Sequence, residues 1–217
     1  MPDRSHGCQK ATKVHTCIMK TRPTVTRTLL KKAFSEAANT LTVFLKDDRN
    51  LDAIERFTDL AVSALESKGR IFACGNGGSM ADAMHFTEEL AGRSRRNRPP
   101  LPALAFSDPA TMSCIANDYG YDAVFSRQVE AQAQRGDLLV LLSTSGNSPN
   151  VIEAAKTAHA LGVTTVGLLG RGGGKLLSEV SLPIVVPHAE TSDRIQEMHM
   201  LILHAVTEMI EGSLFET

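Results

Sequence analysis

Two stretches of this chain carry polar side chains at spacings that suit proton or metal chemistry. In Met84-His85-Phe86-Thr87-Glu88-Glu89-Leu90, His85 and Glu89 are four residues apart, which on a helix puts them on one face. That spacing fits two metal ligands, a base with its neighbour, or an ordinary surface pair. Towards the C-terminus, Asp193, Gln196, Glu197, His199 and His204 are set among apolar residues. Gln196 and His204 are eight apart, about 80° around a helix, so they can share one side. His204 lies between Leu203 and Ala205, which fits a core histidine. It also fits a general acid/base, because imidazole titrates near neutrality and a desolvated carboxylate can serve as its partner.

Two further stretches suit an anion. Gly75-Asn76-Gly77-Gly78-Ser79 and Ser143-Thr144-Ser145-Gly146-Asn147-Ser148 each follow an apolar run and lead into a helical pattern. Pro149 fits the first turn of the second helix, where a missing N–H is not needed. In an open α/β sheet, ligands bind at the carboxyl ends of strands, and a helix start there offers free N–H groups and a partial positive charge. Each loop alone is equally an ordinary turn with a cap; the two together point to a phosphorylated ligand. Neither is a nucleotide motif. Met80 stands where G-x-G-x-x-G needs its third glycine, and Leu169 and Leu176 break the Walker pattern around Gly170–Lys175. No nucleotide is expected.

These residues need elements to hold them. Apolar residues recur at helical spacing from Thr26 to Leu45 and again over 51–66. Short apolar runs follow at 71–74, 103–106, 138–142, 163–169 and 182–186, with helical stretches between most of them. Strands apolar on both faces, alternating with helices, predict a five-stranded parallel sheet in a three-layer α/β/α domain of flavodoxin-like type. The two leading helices lie outside this alternation; they can cover a sheet face or meet another subunit. The last helix spans roughly Ser192 to Glu211, with Ile195, Met198, Leu201, Ile202, Ala205 and Met209 on its apolar side.

Composition sets outer bounds. The chain has 217 residues, 42% hydrophobic and 22% charged, with no Trp and a net charge of −1. That fits one globular domain and excludes a disordered chain, a disulfide scaffold and a nucleic-acid coat. The charge is uneven: residues 1–32 hold eight Lys or Arg against Asp3 alone. Residues 1–24 read as an irregular tail, and 25–217 as the domain. Cys8, Cys17, Cys74 and Cys114 form no C-x-x-C pair, and Cys74, inside an apolar run, reads as a buried reduced thiol. No apolar run spans a membrane and the start lacks a signal h-region, so a cytoplasmic location is expected. The run Arg93-Ser-Arg95-Arg96-Asn-Arg98 has no interleaved aromatics and is not read as nucleic-acid binding. It is a solvated helix end, or a greeting for an anionic substrate through Arg93.

Five segments in order now resemble a known family. Cys-Gly-Asn-Gly-Gly-Ser at 74–79, His-Phe-Thr-Glu-Glu-Leu at 85–90, Ala-Asn-Asp at 116–118, Ser-Thr-Ser-Gly-Asn-Ser at 143–148 and Arg-Ile-Gln-Glu-Met-His at 194–199 look like the phosphoheptose isomerases of the SIS (sugar isomerase) domain family. The resemblance covers roughly residues 25–214. It implies a homotetramer with active sites at subunit interfaces, and conversion of sedoheptulose 7-phosphate to D-glycero-D-manno-heptose 7-phosphate. That is the first step toward the ADP- or GDP-heptose used in lipopolysaccharide core or other surface glycans. It implies Glu89 and His204 as the catalytic acid/base pair. Asn76, Gly77, Gly78, Ser79, Asn117, Asp118, Ser143, Thr144, Ser145, Ser148 and Gln196 are implied as substrate contacts, with Arg93 and Asp193 in support. It also implies a zinc ion held by His85, Glu89, Gln196 and His204. Such an isomerisation moves one proton between C1 and C2 and another between their oxygens, which a carboxylate and an imidazole on opposite sides of an enediol can do without a redox cofactor. A relative of the same fold, the DnaA initiator-associating protein, shares segments such as Ile-Gln-Glu-Met-His-Met-Leu at 195–201. It lacks the carboxylate and final histidine that are present here, which favours an enzyme over that regulator. A non-catalytic sugar-phosphate sensor is the third reading.

Overall fold

The computed structural model describes residues 27–187, 189 and 191–215. The tail assigned to residues 1–24, with Cys8 and Cys17, lies outside the described residues. Five strands, β1 (Ile71–Gly75), β2 (Ala103–Ala105), β3 (Leu138–Ser143), β4 (Thr164–Gly170) and β5 (Leu182–Val186), form one parallel sheet in the order β2-β1-β3-β4-β5. Every apolar run singled out in the sequence is a strand. β1 and β3 are buried throughout, as expected of central parallel strands covered on both faces. Pro183 is tolerated in β5 because that strand is an edge.

Alternate strand residues feed two cores. Ile71, Ala73, Leu138, Val140 and Leu142 face α2 (Asp48–Glu66), α3 (Gly78–Ala91) and α7 (Ser192–Phe215), meeting Phe57, Phe86, Leu90, Ile202 and Val206. Phe72, Cys74, Leu139 and Leu141 face the other way, toward α5 (Ser126–Gln132) and α6 (Pro149–Leu161). α4 (Pro109–Tyr119) starts at Asp108, whose carboxylate accepts the Thr111 N–H at 2.7 Å, a standard N-cap. Cys74 is buried and unpaired, and burial raises its thiol pKa far above the ordinary range.

Of the two leading helices, α2 covers the sheet while α1 (Arg27–Phe44) buries only Thr40 and Phe44. The apolar side of α7 is rotated from the one expected. Leu201 and Met209 are exposed, and Leu203, Val206 and Ile210 are buried in their place. A helix of this length carries enough apolar residues for two stripes, and the sheet surface chooses between them. No described helix is long and apolar enough to cross a membrane.

At the amino ends of the central strands, the buried Asp137 carboxylate accepts the N–H groups of Arg70 (2.8 Å) and Gln134 (2.9 Å) and pairs with the Arg70 guanidinium at 3.1 Å. Its removal leaves two part-buried N–H donors and the Arg70 guanidinium without their acceptor. Asp137→Ala is therefore expected to lower unfolding free energy by about 3 kcal/mol, measured as a fall in urea midpoint at unchanged slope.

Candidate active site

The strand order reverses direction between β1 and β3, which is where an open sheet of this topology leaves a crevice at the strand carboxyl ends. Both Gly/Ser loops open there, since Gly75 and Leu142 are register partners. In the first loop, Asn76 and the buried Asn150 exchange amide hydrogen bonds of 2.8 and 2.9 Å, and the Tyr121 hydroxyl donates to Asn76 Oδ1 at 3.1 Å. Gly77 and Gly78 begin α3, and Ser79 is buried in its first turn. Gly78 admits a close neighbour: a Cβ there would lie 2.5 Å from Gln196 Nε2. Gln196 on α7 is thereby set against the start of α3.

The second loop is a cup of hydroxyls. Ser143 Oγ and Ser148 Oγ are 3.3 Å apart, Gly146 N–H donates to Ser143 Oγ at 3.1 Å, and Asn147 N–H donates to Ser145 Oγ at 3.2 Å. Thr144 Oγ1 donates to Ser192 Oγ at 3.3 Å. The segment Arg171–Ser178, kinked at Gly172–Gly174, braces the cup: Leu176 N–H donates to Gly146 O and Lys175 N–H to Asn147 Oδ1. The Gly170–Lys175 stretch thus supports the loop and forms no nucleotide cradle of its own.

His85 and Glu89, one turn apart on α3, meet His204 of α7. Their ligand atoms lie within 4.8 Å of one another. His204 Nε2 is 3.3 Å from His85 Nε2, and Glu89 Oε1 is 3.6 Å from His85 and 3.9 Å from His204. The Glu89 side chain is 15% exposed and the two imidazoles are nearly half exposed, so the cluster opens to solvent above a mostly buried carboxylate. The other carboxylate oxygen, Oε2, is buried without a partner among the described residues. His85 and Glu89 are therefore not a bare surface pair, and His204 is not a core histidine. His199 takes the core position: it is fully buried, and its Nε2 meets Leu169 O at 3.3 Å. Burial pushes the His199 pKa down to about 4, so the ring is neutral.

Within one chain, Glu89 and His204 stand too close to admit a sugar between them.

The SIS domain family model matches residues 33–170. The phosphoheptose isomerase of Yersinia pestis (strain Pestoides F) is 49% identical over 183 residues, covering 84% of this chain and 95% of the relative. This chain belongs to the phosphoheptose isomerase family of SIS domain proteins. Solved structures agree. The phosphoheptose isomerase of Neisseria gonorrhoeae superposes with a TM-score of 0.79 at 39% identity, over 85% of this chain and 98% of that one. The Francisella tularensis phosphoheptose isomerase gives 0.76 at 33%, over 84% and 97%.

The remaining candidates are spread over several elements of this SIS domain. Asn117 and Asp118 are exposed on α4, where Asn117 Nδ2 donates to Asp118 Oδ1 at 2.7 Å. Asp193, at the start of α7, pairs with Arg194 at 3.0 Å; hydrogen bonds from Thr191 and Arg194 lower its pKa. Arg93 is exposed just past α3. The basic run is not simply a solvated end, because Arg98 is buried against Glu211. Asp82 was passed over in the sequence. It lines a cavity with Asp193, Gln196 and Glu197, and burial raises its pKa to about 6, with His85 opposing the shift. Its i,i+3 spacing to His85 is the signal that could have marked it.

Proposed function

We propose that this chain is an aldose–ketose isomerase that converts sedoheptulose 7-phosphate to D-glycero-D-manno-heptose 7-phosphate. The observation that carries this is the meeting of Glu89, His85 and His204 across α3 and α7, in a chain that also carries two anion-suited loops and is about half identical to proteins named phosphoheptose isomerase. The cup of Ser143, Thr144, Ser145 and Ser148, at the start of α6, donates to the 7-phosphate and fixes which carbon reaches the acid/base pair. Glu89 carries the proton between C1 and C2 on one face of a cis-enediol. The His204 imidazole donates to and accepts from the two oxygens, a division of labour known for a carboxylate and a histidine on one substrate. Asn76, Gly77, Gly78, Ser79, Asn117, Asp118, Asp193, Gln196 and Arg93 hold the sugar hydroxyls and the approach to them. The product enters ADP- or GDP-heptose synthesis for lipopolysaccharide core or related glycans.

The cluster suits zinc. Two imidazole nitrogens and a carboxylate oxygen are its usual donors, and ligands about 2.0–2.1 Å from a tetrahedral ion stand about 3.3 Å apart, close to the 3.3, 3.6 and 3.9 Å found here. The unpartnered Glu89 Oε2 also leaves the carboxylate a vacant acceptor. His85, Glu89 and His204 would hold the ion, while this chain's own Gln196, the implied fourth ligand, lies against Gly78 about 12 Å along α7 from His204. Bound there, zinc polarises the sugar carbonyl.

The exposed apolar face of α1 supports association between subunits, which we read as the implied homotetramer. Leu29, Leu30 and Phe34 are 60%, 55% and 71% exposed, a contiguous patch of the kind that marks an association surface. Phe34→Glu is expected to shift the light-scattering mass from tetramer to smaller species; an unchanged tetramer would remove α1 from the interface.

The test of function is incubation of the purified protein with sedoheptulose 7-phosphate, followed by NMR of the aldose product. Turnover is expected. A protein inert with and without zinc that binds DnaA instead would be the regulator, and one that binds the sugar phosphate without turning it over would be a sensor.

A further inference from the structure

The loop after α3 is tied to α7 by a buried ion pair. The side chains of Arg98 and Glu211 are each 1% exposed, with Arg98 Nε donating to Glu211 Oε1 at 3.0 Å. The same carboxylate accepts the backbone N–H groups of Ser94 (3.3 Å) and Arg95 (3.2 Å). The rest of the guanidinium caps the end of α3. Nη1 donates to Leu90 O at 2.7 Å and Nη2 to Glu89 O at 2.8 Å. Held this way, Ser94 turns its hydroxyl to Glu89 Oε1 at 3.3 Å.

A buried charge pair gives little stability over an apolar pair of the same shape, because desolvation offsets the attraction. Ending a helix needs only a glycine and water. This pair instead grips one residue twice. Arg98 holds the main-chain carbonyl of Glu89, and Glu211 holds the loop whose Ser94 meets the Glu89 carboxylate. Glu211 also follows His204 by seven residues, two helical turns, so both lie on nearly the same side of α7. The two helices that bring Glu89 and His204 together are thus locked at the same level.

We propose that the Glu211–Arg98 pair, acting through Ser94, is a positioning device that fixes the Glu89 carboxylate relative to His204. Ser94, Arg98 and Glu211 are positioning residues. Without them the Glu89 side chain gains rotational freedom, and a small misplacement of a catalytic group is costly to rate. The proposal rests on the acid/base role given to Glu89.

The experiment compares Ser94→Ala, Ser94→Thr, Glu211→Gln and Glu89→Gln with wild type, each confirmed folded, in steady-state turnover of sedoheptulose 7-phosphate. Val129→Ala, a core variant on the opposite face of the sheet, controls for general destabilisation. Ser94→Ala is expected to lose about tenfold in kcat, the size of one hydrogen bond to a charged group, with KM within about twofold of wild type. Ser94→Thr restores the hydroxyl and the rate. Glu211→Gln loses tenfold or more, while Val129→Ala keeps wild-type kcat at temperatures where it is folded. Wild-type kcat in folded Ser94→Ala, or a loss that Ser94→Thr does not repair, would overturn the proposal even if Glu211→Gln fails to fold. An active Glu89→Gln would instead remove the acid/base reading, and the positioning role with it.

Discussion

Glu89→Gln will lower kcat for sedoheptulose 7-phosphate by about 10³-fold while the protein stays folded. A positioned acid/base group contributes roughly 10²–10⁴-fold, and this substitution removes the basicity and the negative charge while keeping the side chain's shape. Gln has the same length and keeps an oxygen that can accept from Ser94 Oγ, now 3.3 Å from Glu89 Oε1. The carboxylate is only 15% exposed, so a neutral amide is, if anything, easier to bury there. Thermal unfolding should therefore change little, and KM should stay near wild type because the phosphate cup is untouched. Loss of kcat without loss of affinity is the signature of an interaction made in the transition state.

Gly146→Ala will act on binding instead. Gly146 has φ +62, and a Cβ there would lie 1.8 Å from Gly173 O. The obstacle is backbone, so the loop itself must move. Its N–H holds Ser143 Oγ and its carbonyl accepts from Leu176, and displacement therefore spreads the hydroxyl cup. The expected result is a 10- to 100-fold rise in KM, about 1.4–2.8 kcal/mol of lost binding, with a smaller change in kcat. Gly172→Ala separates backbone strain from the clash. That residue also has positive φ, +77, but a Cβ would meet nothing within 4 Å. It should lose stability by about 1 kcal/mol and leave KM alone. Steady-state kinetics of the two variants, with inorganic phosphate protection in thermal melts as a second readout, checks the contrast.

The sheet was legible in the sequence because a parallel strand covered on both faces has to be apolar throughout, as Leu138–Leu142 is. The two loops were legible because glycine and hydroxyl residues interrupt that apolar pattern at strand ends. The site was half legible. His85 and Glu89 share a face by local spacing alone, but His204 joins them from 115 residues further on, through helix packing that spacing does not encode. The same gap explains why His199, and not His204, is the core histidine. Both sit among apolar neighbours, and only the sheet surface fixes which one turns inward. Arg98 looked like one more surface charge because its partner Glu211 is 113 residues away. The meeting of Glu89 and His204 is likewise a product of helix packing: α3 and α7 lie together on one sheet face, and no pattern along either helix reports it.

The central claim is that Glu89 moves a proton between adjacent carbons of a sugar phosphate. It is tested most directly by running wild type and Glu89→Gln side by side on sedoheptulose 7-phosphate in D₂O, following the C1 and C2 hydrogens by NMR. Wild type should form the aldose 7-phosphate, with solvent deuterium entering at C2. Glu89→Gln, folded and still binding the sugar phosphate, should form product and take up deuterium about 10³-fold more slowly. Product formation and deuterium entry at equal rates in both proteins would contradict it.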